Sequence, residues 1–275
     1  MTWTLMPHRG LLSLKGPDRK TFLQGLITND ISKLSSTLSL YTAFLSPQGK
    51  FLHDLFITEK DDILYLEGER ERLPDLLKRL TLFKLRADVT LSLEENLQVL
   101  ASFSQEDPAS GFMFFSDPRP ASLQNRAYCD AENIPKNLDS FELYNQKRLQ
   151  LGLPEGSWDM TPDKAIPLEC GLDDLGAIDW KKGCYMGQEL TARTKHRGLI
   201  RKRFLPCKAP FLLSNQHETL LQGDKKVGTL LSFSGPYGLV RLRLEALENK
   251  TPIMLDNQPV TLTIPEWMKG IQQSL

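Results

Sequence analysis

The chain has 275 residues, 40% of them hydrophobic and 25% charged, with 34 basic and 34 acidic side chains that cancel. This is a globular composition that excludes a disordered or low-complexity polymer, and no stretch approaches the roughly 18 uninterrupted apolar residues of a membrane-spanning helix. The opening MTWTLMPHRGLLSLKG carries a proline and charges too early for a signal peptide and lacks the Arg- and Ser-rich character of a transit peptide, so a soluble bacterial cytoplasmic protein is expected.

In chain order, GLLSLKG predicts a short strand over 11–14 that turns at Gly16-Pro17 into a helix, with Phe22, Leu23 and Leu26 on its apolar face. LYTAFLSPQGKFLHDLFI reads as a hairpin turning at Ser46-Pro47-Gln48-Gly49, and KDDILYLEGE adds a third strand. ERERLPDLLKRLTLF has helical spacing through Leu73, Leu76, Leu77 and Leu80, and ADVTLSLEENLQVLASF returns to strand, turn and strand. DPASGFMFFSDPRP is a breaker-rich loop around one short strand. LDSFELYNQKRLQLGLPEG predicts a helix capped by Asp139, with Glu142 three residues on, ending at Gly152-Leu153-Pro154. The regular alternation of a parallel sheet is missing, so the fold class is α+β. From Arg201 onward, short strands at turn-punctuated intervals predict a small β-barrel. The division is therefore an α+β region of two interleaved subdomains over 1–200 and a barrel domain over 201–275.

The four cysteines, Cys129, Cys170, Cys184 and Cys207, are widely spaced, which argues against a disulfide framework and against a metal site. Cys184 follows Lys181, Lys182 and Gly183 and precedes a run of helix formers. A helix start and two neighbouring bases would favour its thiolate, and the competing reading is a buried, inert cysteine. Between Lys181 and Arg203 stand eight bases and one acid, leaving 26 bases and 33 acids elsewhere. That segment is either a solvated face or an anion cradle. No aromatic residue interrupts it between Thr191 and Arg203, which makes direct nucleic-acid binding less suitable than a small acidic ligand. Asp54, in FLHDLFI, and Glu169, in AIPLEC, are carboxylates within apolar runs, each either structurally hydrogen-bonded or functional.

Taken together, LKGPDRKTFLQGLITND, TAFLSPQGKFLHDL, TPDKAIPLE, KGCYMGQELTARTKHRG and GTLLSFSGPYGLVRLR resemble the YgfZ-like proteins, a branch of the glycine-cleavage T-protein superfamily, over nearly the whole chain. The resemblance implies a three-lobed architecture around a central cavity for tetrahydrofolate or another reduced folate, closed on one side by the barrel. It also implies a role in assembling, inserting or repairing iron-sulfur clusters in client enzymes, including radical enzymes that modify tRNA. On that reading Cys184 and Asp54 carry the chemistry. Asp54, Glu169, Lys181, Tyr185 and Gln188 contact the folate, and Arg193, Lys195, Arg197 and Arg201 attract its glutamate tail. The alternative is a tetrahydrofolate-dependent aminomethyltransferase or other one-carbon transferase. Lys50 and His53 stand where the aminomethyltransferases have a second glycine and a first acid, which counts against that alternative.

Overall fold

In the computed structural model, which describes residues 3–35, 38–104, 111–120, 125–198, 200–216 and 218–269, the amino-terminal region runs β1 (Trp3–Leu5), β2 (Arg9–Lys15), α1 (Arg19–Gln24), β3 (Leu40–Leu45), β4 (Phe51–Lys60), β5 (Ile63–Glu69), α2 (Leu73–Lys84) and β6 (Thr90–Leu93). Then come β7 (Leu97–Ser102), β8 (Met113–Ser116), β9 (Asn125–Asp130), α3 (Phe141–Gln150), the single turn α4 (Gly156–Asp159) and α5 (Gln188–His196). The carboxy-terminal region comprises β10 (Lys202–Lys208), β11 (Thr219–Gln222), β12 (Lys225–Ser234), β13 (Tyr237–Arg243), α6 (Glu245–Glu248), β14 (Met254–Leu255), β15 (Gln258–Pro259) and β16 (Thr261–Leu262).

Three antiparallel sheets result. The first has the order β3-β4-β5-β2-β6, the second β1-β7-β9-β8 and the third β15-β14-β11-β12-β13-β10-β16. The third is the nearly closed barrel. The β3–β4 hairpin and the third strand beside it stand as expected from their alternation. The strand-turn-strand over 90–102 does not make a hairpin, because β6 pairs with β2 in the first sheet while β7 lies between β1 and β9 in the second. The cap of α3 also differs from expectation. Ser140 accepts from the Leu143 amide, whereas the Asp139 amide donates to the carbonyl of Trp3 at 2.9 Å and ties the helix start to β1.

Period-2 alternation gives the first sheet two apolar faces. One face packs Leu12, Leu52, Leu55, Ile57 and Leu66 against Leu23 of α1 and Leu76 and Leu80 of α2. The other contributes Tyr41, Ala43 and Phe56 to a cluster that continues through Leu168 and Cys170 into Leu205 and Leu239 of the barrel. One core therefore crosses residue 200.

The segments carrying the family resemblance converge at the hairpin turn. Gly49 has φ +67° and Gly187 φ +81°. A side chain on Gly187 would lie 2.6 Å from the Ser46 carbonyl oxygen and 3.0 Å from Cα of Gly49, so the turn and the loop before α5 touch backbone to backbone. The Phe51 amide donates to Ala165, the Asp163 amide to Phe51, and the Met186 amide to Gly25. Replacing Gly187 by Ala should therefore cost roughly 1–3 kcal/mol from left-handed strain and this contact. Gly183→Ala, four residues earlier with open space around it, should be near neutral. Urea unfolding checks the pair, and equal midpoints would show that the glycine contact is dispensable.

Candidate functional site

The acid singled out in β4 lies inside a buried ion-pair knot. Asp54 is 3% exposed and its two oxygens accept from Arg9 Nη1 at 3.1 and 3.3 Å. Arg9 Nε also donates to Glu67 at 2.9 Å, and Nη1 lies 3.4 Å from Glu155. Glu67 takes two bonds from Arg126, one of them at 2.9 Å, and a third from the Tyr128 hydroxyl at 3.2 Å. Burial pushes the Asp54 carboxyl up, Arg9 opposes it, and neighbouring Glu155 pushes the same way as burial. Glu155 is held well below the carboxylate range against its own burial, by a hydrogen bond with His8 and by the Arg9 charge. Asp54 is thus the acid of the pair that holds a proton more readily. The buried hydroxyls of Tyr41 and Tyr144 lack hydrogen-bond partners among the described residues, and Tyr41 lies on the same face of the sheet as Asp54. Arg9, Glu67, Arg126 and Glu155 were missed in the sequence. The signal that marked Asp54, a charge inside an apolar run, is equally present at Glu67 in ILYLEGE and Arg126 in NRAYC.

A second feature is the loop over 181–187. Of the four cysteines, Cys184 is exposed, while Cys129, Cys170 and Cys207 are buried. The loop is braced from beneath by Lys182, whose Nζ donates to the carbonyls of Gln24, Ile27 and Asn29 at 2.7, 2.7 and 2.8 Å. Burial brings this ammonium down to about 8, and it lies 5.2 Å from the Tyr185 ring centroid. The helix begins only at Gln188, so Cys184 lies ahead of the turn over which a helix dipole acts. Its distinction is exposure on a fixed loop.

The remaining expected residues are distributed. Glu169 and Arg201 line one cleft of about 630 Å³ together with Lys202 and Arg243. Arg193 lines a different cavity, about 290 Å³, with Lys50, Ile166, Pro167 and Leu190. Lys195 places its ammonium 3.8 Å from the Trp180 ring centroid. Lys181 and Arg197 are exposed, Gln188 opens α5, and Tyr185 is buried, its hydroxyl pushed by burial to about 12. Two members of the basic segment are internal, Lys182 and Arg203, the latter bonded to Leu168 and Asp173 and paired with Asp174. The segment is therefore not one cradle.

Residues 201–270 match the model of the CAF17 C-terminal β-barrel domain. The chain is 35% identical to the mitochondrial iron-sulfur cluster assembly factor IBA57 homolog of Pyricularia oryzae, over 90% of this chain and 73% of that protein. It is 31% identical to the mitochondrial IBA57 of Mus musculus, over 97% of this chain and 86% of that protein. The chain belongs to the IBA57 family of iron-sulfur cluster assembly factors. Its fold is similar to that of the glycine cleavage system aminomethyltransferase T from Bartonella henselae, with a TM-score of 0.76 at 15% identity over 96% of this chain and 85% of that one. The expected T-protein-like α+β architecture with a terminal barrel therefore stands. The expected bacterial cytoplasmic location does not, because these IBA57 relatives are mitochondrial. That expectation rested on the composition of the first residues, and a compartment address is read by a receptor from a segment separate from the fold. No helix among the described residues is long and apolar enough to cross a membrane.

His53, one residue before Asp54, points to the opposite face of the sheet. Its Nε2 lies 3.0 Å from Asp75 of α2, and burial, followed by Arg72, lowers its pKa from 6.5 to about 4. Between those values the unfolded chain binds the proton and the folded chain does not, so stability falls as pH drops through that window. The slope should reach up to about 1.4 kcal/mol per pH unit. Urea midpoints measured across the window should show a shallower slope for His53→Asn, and an unchanged slope would assign the effect to another group.

Proposed function

We propose that this chain is a YgfZ-like accessory factor that binds tetrahydrofolate or another reduced folate and serves the assembly, insertion or repair of iron-sulfur clusters in client enzymes, tRNA-modifying radical enzymes among them. The observation that carries the reading is Cys184, the exposed thiol of the four, held on a braced loop in a member of the IBA57 family. A lone thiol supplies one ligand to an iron-sulfur centre whose remaining ligands come from the client. The cluster is cargo in this scheme.

The cleft of Glu169 and Arg201 suits a folate in size and chemistry. Its volume of about 630 Å³ falls within the roughly 300–1,000 Å³ of small-molecule sites. Glu169 offers a carboxylate to the amino and N–H edge of a pterin, and Arg201, Lys202 and Arg243 offer cations to a carboxylate-bearing tail, on a lining that Glu245 and Glu248 share. Asp54 does not line this cleft.

One observation favours the second reading, a one-carbon transferase. Asp54 combines a pKa pushed up by burial with a place on the same sheet face as Tyr41, whose buried hydroxyl lacks a hydrogen-bond partner among the described residues, as a proton-handling acid would. Its pairing with Arg9 and its burial from solvent count against a substrate reaching it.

Titration calorimetry with monoglutamyl tetrahydrofolate should show saturable binding, and its absence would remove the folate from the reading. Cys184→Ala should keep the wild-type melting temperature and lose most of the activation of a reconstituted iron-sulfur client; full activation would remove the thiol. No methylene-tetrahydrofolate should form with amine donors, and turnover would establish the transferase instead.

A further inference from the structure

The 630 Å³ cleft does not end at Arg243. It adjoins a second groove of about 220 Å³ on the barrel, and Lys202 and Arg243 line both. Lys226, Thr229 and Arg241 complete the polar lining of the groove, which contains four cations and no acid. The ladder explains how they gather. Lys202 of β10 stands directly opposite Arg243 of β13, and Thr229 of β12 stands opposite Arg241. Arg241 and Arg243 are two residues apart, so both point to the same face.

Like charges directly opposite each other on a sheet repel, and little in the fold relieves them. Arg243 reaches Glu245 at 3.6 Å, with both side chains about half exposed. Lys202, Lys226 and Arg241 make no salt bridge among the described residues. The groove also has no aromatic residue on which a nucleobase would stack. Its chemistry calls for several carboxylates in a row, which arginine forks engage in bidentate pairs. Arg193 and Lys195, expected from the sequence to attract a tail, lie elsewhere, at the 290 Å³ cavity and over Trp180.

We propose that this groove on the barrel binds the oligoglutamate tail of the folate whose head occupies the adjoining cleft, making polyglutamylated reduced folate the ligand class. The inference rests on the folate reading above. Lys226 and Arg241 line the groove alone, so they test the tail without touching the cleft.

The experiment is titration calorimetry on the full chain with monoglutamyl and pentaglutamyl tetrahydrofolate, using wild type and the Lys226→Gln/Arg241→Gln variant, at about 50 and 200 mM salt. In wild type the pentaglutamyl form should bind about tenfold tighter at low salt, and the preference should shrink at high salt as screened ion pairs require. In the variant the preference should collapse while monoglutamyl affinity and the melting temperature stay unchanged. Equal wild-type affinities for the two forms overturn the tail site and leave the folate reading intact. A preference that survives in the variant places the tail elsewhere and also overturns the site. Failure of both forms to bind overturns the folate reading and the tail site together. Salt-sensitive binding of an RNA oligomer that the variant abolishes, without any pentaglutamyl preference, would make the groove a phosphate site instead.

Discussion

The guanidinium of Arg9 is the interaction on which the architecture depends. It is fully buried and meets three acids from separate parts of the chain, Asp54 in β4, Glu67 in β5 and Glu155 just before α4. Glu67 in turn binds Arg126 and Tyr128 of β9, so the first and second sheets are joined through charge as well as through apolar contact. Taking these groups out of water costs several kcal/mol per ion, and losing one partner typically costs about 3–5 kcal/mol because a charge is stranded. Such a knot adds little net stability over a packed apolar core. What it does supply is geometry, since Glu67 is bonded at once from Arg9 of the first sheet and from Arg126 and Tyr128 of the second.

The KKGCYMGQEL stretch shows the same division between construction and chemistry. Lys182 caps three carbonyls at and just beyond the end of α1, Tyr185 packs into the core, and Gly187 lies against the turn at Gly49. Most of the motif is therefore scaffolding that fixes a loop between α1, the hairpin turn and α5. The nucleophile of the stretch, Cys184, is left exposed. A thiol on a rigid loop costs little ordering entropy when a partner meets it, which is a better account of its setting than a helix dipole.

The strands, the hairpin and the barrel were legible because their signals are local, in alternation, turn residues and breakers. The separation of β6 from β7 was not, since strand, turn and strand reads alike whether the second strand folds back or moves to another sheet. Cys184 and Asp54 stood out as isolated reactive groups among unlike neighbours. The cleft was half legible: Glu169 and Arg201 were found, while Lys202 was noted only as part of a basic run and Arg243 not at all, because their meeting depends on the β10–β13 register. The same blindness made Lys182 and Arg203 look like surface cations, although one caps carbonyls and the other is paired with Asp173 and Asp174.

Position on the sheet also changes what the departures from the aminomethyltransferase pattern mean. Lys50 and His53 replace a glycine and an acid of that pattern, which reads as the loss of catalytic groups. Yet strand alternation places His53 on the face packed against α2, bonded to Asp75, and Lys50 lines the cavity shared with Arg193. Neither replacement alters the immediate surroundings of Asp54. What separates this acid from a substrate is its ion pair with Arg9 and its burial, contacts that the hairpin motif does not encode. For a substrate to reach Asp54, the Arg9 knot would have to open.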